Sequence, residues 1–241
     1  MRVRARYTKS GKLRFISAID LGRVWERSLR LADLPIAYSE GFSPHPKVSF
    51  PDALPLGYAS TGEYAELTFA APVVLDTAVK ALNAAFPAGL EILLAVPVAD
   101  GDPKLSSLLQ ASTWDLQYRA DDDTARRILA AVDALRAADE VPVARQRKGA
   151  PEAVDMRPAV AEISAAASTD GVTVRVTLHH IDHLPPGAPP VALRPSEVHA
   201  GLEVLRPALP DPVLVTRVAQ GRALDRGLAE ALSGEHVPPL S

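Results

Sequence analysis

The chain has 241 residues, 47% hydrophobic and 23% charged, room for one large or two small folded domains and too apolar for disorder as its main state. It contains no cysteine, which excludes disulfides, thiol catalysis, Cys-built zinc sites and an iron–sulfur cluster on its own thiolates. No apolar run approaches the roughly 20 residues that span a bilayer, and the charged N-terminus lacks a signal-peptide core, so the expected setting is cytoplasmic, with no membrane partner.

The net charge of −3 conceals an asymmetry. Residues 1–50 carry ten Lys/Arg against four acids, a net of +6 that leaves −9 for the rest. A basic opening segment on an acidic body suggests a field directed at an anionic partner. The alternative is a set of solvated strand and helix arginines.

Residues 2–8 (RVRARYT) alternate, with Val3, Ala5 and Tyr7 on one face and Arg2, Arg4 and Arg6 on the other, the pattern of a half-buried strand. Ser10-Gly11 signals a turn, after which 13–16 (LRFI) is expected to pair back as a short strand. Ser17 and Asp20 have capping-box spacing, and Ile16 and Leu21 stand where a hydrophobic staple would. The helix they start runs to about Ala32 and offers Leu21, Val24, Trp25 and Leu29 to a core. Arg23, Arg27 and Arg30 share one stripe of it, and Leu34-Pro35 ends it. Residues 36–50 hold an extended piece, a loop stiffened by Pro44 and Pro46 around His45, and a strand. A strand at 63–69, a helix from Asp76 to Phe86 and a strand at 90–98 complete a βαββαβ order, the split βαβ arrangement.

After a connector at 99–111 the order recurs. A strand is expected at 113–119, with Trp114, Leu116 and Tyr118 on one side, and a helix from Asp121–Asp123 to about Asp139. Strands follow at 141–147, 159–167 and 172–178, the last two joined by an Asp170-Gly171 turn. Pro195 opens a helix reaching about Leu205, and 213–218 closes the sheet. The two halves share no residue-level repeat. The expected fold is therefore α+β, two tandem ferredoxin-like (βαββαβ) domains at 1–99 and 112–221, with a helical, frayed tail at 222–241.

The stretch from Lys9 to Glu66 is the distinctive one. It runs 9–20 (KSGKLRFISAID), Glu26-Arg27, 34–39 (LPIAYS), 41–50 (GFSPHPKVSF), 54–57 (LPLG), then Ser60 and Glu63-Tyr64. Thinner continuations lie at 155–158 (DMRP) and at Arg217 and Gly221. On these residues the chain resembles the radical-SAM-linked proteins, whose members stand beside a radical SAM protein or are fused to its C-terminal end. The resemblance implies a partner rather than a reaction, because radical chemistry must reside in a chain that can ligate the cluster. One departure is Ala18, where many relatives have His within Ser-His-x-Asp.

Several of Lys9, Lys12, Arg14, Arg23, Arg27, Arg30 and Lys47 could neutralise phosphates if the first loop and the 41–47 loop meet at one sheet edge, with Tyr38, Phe42 or Phe50 stacking a base. Arg145, Arg147, Lys148 and Arg157 form a second basic group, either a groove extension or, more commonly, a mobile hairpin tip. His179, His180 and His183 suggest a metal, but the first two point to opposite faces of a continuing strand. His45 could serve as a general base with Asp20, Glu63 or Glu66 as its orienting acid. No G-x-G-x-x-G, P-loop, G-x-S-x-G or H-E-x-x-H is present, and no cofactor or metal of its own is expected.

The leading expectation is a non-catalytic accessory module that binds RNA or another anionic substrate for a separate radical SAM enzyme, through Lys9, Lys12, Arg14, Arg23, Arg27, Tyr38, Phe42, His45 and Lys47. Two alternatives stand beside it. One is a metal-independent RNA-processing enzyme with His45 as general base, a fold-level likeness to CRISPR endoribonucleases that lacks their glycine-rich loop. The other is a protein-interaction subunit with no nucleic-acid role.

Overall fold

The computed structural model describes residues 1–147 and 150–240, an α+β protein that divides into two compact units, Met1–Leu108 and Leu109–Ser241. The first unit contains β1 (Arg2–Lys9), α1 (Ala18–Leu31), β2 (Val48–Ser49), β3 (Ala59–Thr68), α2 (Leu75–Ala85), β4 (Ile92–Pro97) and a one-turn helix α3 (Leu105–Leu108). Its strands pair antiparallel in the order β4-β1-β3-β2. Val3, Ala5 and Tyr7 of β1, with Ala65 and Leu67 of β3, form the apolar sheet face; Leu21, Trp25 and Leu29 of α1 and Leu82 of α2 complete the core.

Ser17 caps α1 as its spacing foretells, its Oγ accepting from the Asp20 backbone N–H at 3.1 Å. The Asp20 carboxylate takes the Ser17 hydroxyl at 2.7 Å. Asn83 ties α2 to β4, its amide both donating to Ile92 O (3.0 Å) and accepting from Ile92 N–H (2.8 Å). The expected short strand at 13–16 is instead a 3-10 turn over Gly11–Phe15. Gly11 adopts φ +57°, and Leu13 N–H bonds back to Ser10 O at 3.1 Å, coiling the chain before it can extend. The arginine face of β1 is also more covered than alternation suggests: Arg4 is buried, pairing with Glu66 directly across on β3 at 3.0 Å and donating to Pro103 O.

The second unit contains β5 (Ala111–Tyr118), α4 (Asp122–Ala137), β6 (Pro142–Arg147), β7 (Ala150–Asp155), β8 (Val160–Ser168), β9 (Gly171–His179), α5 (Pro195–Leu205), β10 (Leu214–Ala223), β11 (Leu228–Glu230) and β12 (His236–Val237). Its main strands pair antiparallel in the order β10-β5-β9-β8. Counted over these four strands alone, each unit runs fourth, first, third, second. Asp121 caps α4 through the Thr124 N–H at 2.8 Å, and Glu197 accepts from the Arg194 N–H at 2.7 Å at the start of α5. Residues 141–147 do form a strand, but β6 pairs only with β7, outside the main sheet.

The tail is not helical. Residues 222–223 finish β10, the chain reverses at Gly227 (φ +81°), and β11 lies back along β10 with Gly221 opposite Glu230. Burial of Leu228 against Ala111 and Ala219 outweighs the helical composition of the segment. A Cβ at Gly221 would stand 1.9 Å from Ala229 O. Gly221→Ala is therefore expected to lower stability by about 1–3 kcal/mol, read as a fall in the urea midpoint at constant slope.

Candidate functional site

After α1 the chain folds into a closed loop. Ile36 bridges Phe69, Ala37 N–H donates to Thr68 O (2.7 Å) and Lys47 N–H donates to Ala37 O (2.7 Å). Nearer the tip, Tyr38 bridges Pro46, Ser39 N–H donates to His45 O (2.8 Å) and His45 N–H returns to Ser39 Oγ (3.0 Å). These bonds close the base of a five-residue tip, 40–44, that turns at Gly41 (φ +123°). Phe42 at the tip is fully exposed, and Tyr38, His45 and Lys47 are exposed at its base.

The loop lies beside α1 across a cleft of about 360 Å³. Ile19, Gly22, Arg23, Trp25 and Glu26 line it from α1, and His45, Pro46, Val48 and Phe50 line it from the loop. Trp25 is buried, edge-on to Tyr7 (5.1 Å between centroids), Phe50 (5.6 Å) and Phe86 (4.8 Å). Its indole N–H is enclosed and has no hydrogen-bond partner among the described residues.

The cations sort into two kinds. Lys9 is only 1% exposed, and its Nζ donates to Ile16 O at 3.2 Å, so it braces the 3-10 turn and is no contact for a surface-bound phosphate. Arg23 pairs with Asp20 at 3.0 Å, and Arg30 pairs with Glu26 at 3.6 Å. The Ser17 hydroxyl, aided by Arg23, holds the Asp20 carboxyl below its ordinary range. Arg14 is half-buried, its Nε donating to Gly11 O at 3.3 Å and its guanidinium lying over the Phe15 ring at 5.1 Å. Lys12, Arg27 and Lys47 stand exposed with no ion-pair partner among the described residues. The predicted residues thus fall into a loop group (Tyr38, Phe42, His45, Lys47), a turn group (Lys12, Arg14) and α1 (Arg23, Arg27), with Arg23 and His45 on one cleft.

None of the three carboxylates considered for His45 hydrogen-bonds it among the described residues. Asp20 holds Ser17 and Arg23, Glu66 holds Arg2 and Arg4, and Glu63 is buried in β3. In the second basic group Arg145 pairs with Glu152 (3.3 Å) and Glu197 (4.0 Å), and Arg157 donates to Ala138 O and Val160 O. Lys148 lies outside the described residues. No group of three His, Asp or Glu is placed to share a metal among the described residues.

Two features lie outside the motifs read from the sequence. Gly22 sits inside α1, an irregularity in a helical pattern that itself signals a packing or functional reason. His199, largely buried in α5, faces the Tyr118 hydroxyl through Nδ1 (3.3 Å) and Asp211 through Nε2 (3.4 Å), a long-range grouping with no local signature. Burial first, then the Glu203 and Asp211 charges, raises the Tyr118 hydroxyl well above its usual range, so it stays protonated.

Fold and surface together define an α+β protein that presents a braced loop with exposed aromatic and cationic side chains. The chain belongs to the DUF2344 family, described as an uncharacterized protein conserved in bacteria, which its residues 2–184 match. No curated protein matches it. No helix among the described residues is long and apolar enough to cross a membrane.

Burial, then the neighbouring His180 and His183, lowers His179 below its ordinary 6.5. Protonation therefore favours the unfolded chain. The stability contributed by neutral His179 is complete above its unfolded value and is lost as pH falls through the lowered folded value. His179→Gln is expected to flatten the fall in urea midpoint below about pH 6.5.

Proposed function

We propose that the chain is a non-catalytic accessory module that docks single-stranded RNA, or an RNA-containing substrate, for a separate radical SAM enzyme. The observation that carries this reading is the braced 36–48 loop with Phe42 wholly exposed at its tip and Tyr38, His45 and Lys47 at its base. An apolar ring held in water on a rigid tip is a surface for stacking, and the Lys47 charge on the same loop suits a phosphate flanking a stacked base. Lys12 and Arg27 add unpaired charge on the 3-10 turn and α1. The radical SAM partner rests on the family resemblance of residues 9–66. The reading takes each unit as a ferredoxin-like fold, supported by the shared fourth-first-third-second strand order.

A second reading, docking onto a partner protein without nucleic acid, is favoured by the exposure of Phe15, Ile19 and Leu56 in the same stretch. Fluorescence anisotropy with a labelled single-stranded RNA separates the two. RNA docking predicts salt-sensitive binding that weakens about tenfold between about 50 and about 200 mM salt. Phe42→Ala should weaken it about tenfold at unchanged salt slope. Lys12→Glu with Lys47→Glu should reduce the slope itself. Affinity unmoved by all three changes, or partner capture that survives nuclease with no RNA binding, favours the protein-docking reading.

A further inference from the structure

We propose that the cleft between α1 and the 45–50 segment is the pocket for one unpaired nucleobase of the bound RNA. This deepens the RNA-docking reading and rests on it. Three observations carry it independently of the exposed tip.

The first is the floor. Trp25 lines the cleft and is otherwise packed into the core, 1% exposed, so it offers the cleft the margin of a flat aromatic ring.

The second is Gly22, which lines the same cleft from the middle of α1. Glycine there costs helix stability relative to alanine. A Cβ at this position would meet nothing within 4 Å, and the backbone is not left-handed, so the fold itself has no use for glycine. What the missing methyl provides is room for a flat group to approach the helix closely.

The third is the chemistry of the walls. Pro46 and Phe50 are flat and apolar, Glu26 is an acceptor, and Arg23 and His45 are donors. A ligand with apolar faces and both donors and acceptors around its edge matches this set, and a nucleobase is such a ligand. A hydrocarbon chain would leave the polar edge of Arg23, Glu26 and His45 unused. A bare phosphate would meet the Glu26 charge and leave the apolar wall unused. The cleft's 360 Å³ suits one small ligand.

The test is NMR of the full chain labelled with 15N-tryptophan. The chain has two tryptophans, and Trp114 is an internal control because its N–H already donates to Ser112 Oγ at 2.8 Å. The probes are oligoadenylate and oligouridylate of about ten nucleotides, and an abasic oligomer of the same length. Expected results are an RNA-dependent shift of the Trp25 indole signal with Trp114 unmoved, and weaker binding of the abasic oligomer. Gly22→Ala should raise the thermal midpoint while weakening RNA binding about tenfold and abolishing the Trp25 shift. The pocket is overturned, with surface docking left standing, if RNA binds and the Trp25 signal stays put. It is overturned in the same way if the abasic oligomer binds equally well, or if Gly22→Ala binds like the parent. Failure of the unmodified chain to bind any RNA overturns both readings.

Discussion

Trp25 is the point through which the first unit is held together. One indole meets Tyr7 of β1, Phe50 beyond β2 and Phe86 at the end of α2, each edge to face. Such pairs contribute about 0.5–1.5 kcal/mol each beyond burial of their area. The more important consequence is geometric. Phe50 ends the 45–50 segment, so the contact that closes the core also sets where the 36–48 loop lies relative to α1. A phenyl ring at position 25 could fill much of the space, but it would bring no donor. The unmatched indole N–H is thus the feature of this core that packing alone does not explain.

The two units share a strand order and differ in how they elaborate it. In the first, the long connection between α1 and β3 contains the braced loop and β2. In the second, the corresponding stretch between α4 and β8 is the separate β6–β7 hairpin. Both insertions fall at one topological place, after the first helix. Their chemistry diverges: the loop leaves an aromatic ring in water, whereas Arg145 on the hairpin is held by Glu152 and Glu197. Function is commonly carried by such connections on a rigid scaffold, and the first of these two presents an exposed ring.

Legibility in the sequence followed the range of the deciding interaction. The Ser17 and Asp121 caps, the Pro195 helix start and the Asp170-Gly171 turn are set by neighbours within four residues, and all stand where the pattern puts them. The tail was illegible because Leu228 is decided by Ala111 and Ala219, partners far away or on another strand, against its local helical preference. β7 carries no alternating apolar signal and exists by pairing with β6. At the candidate site, the stiff loop around His45 was readable from Pro44 and Pro46. Burial of Lys9 was not, since it depends on the 3-10 turn bringing the Ile16 carbonyl within reach.

Charge shows the same division and bears on function. A +6 count over residues 1–50 invites a phosphate cradle, but the count ends before the acid that answers it. Glu66 lies directly opposite Arg4 on β3 and also reaches Arg2, so part of the β1 charge is compensated across the sheet. On α1, Arg23 and Arg30 have carboxylates three and four residues away, exposed pairs whose worth is small but which lower the local field. Among the described residues Lys12, Arg27 and Lys47 remain without an ion-pair partner, Lys12 and Lys47 lying near the exposed rings Phe15 and Phe42 in sequence. Three point charges in water, screened within about 8 Å at physiological salt, can steer an anion but bind it only weakly. Affinity on this surface must therefore come from its exposed apolar groups, and the charges can only assist.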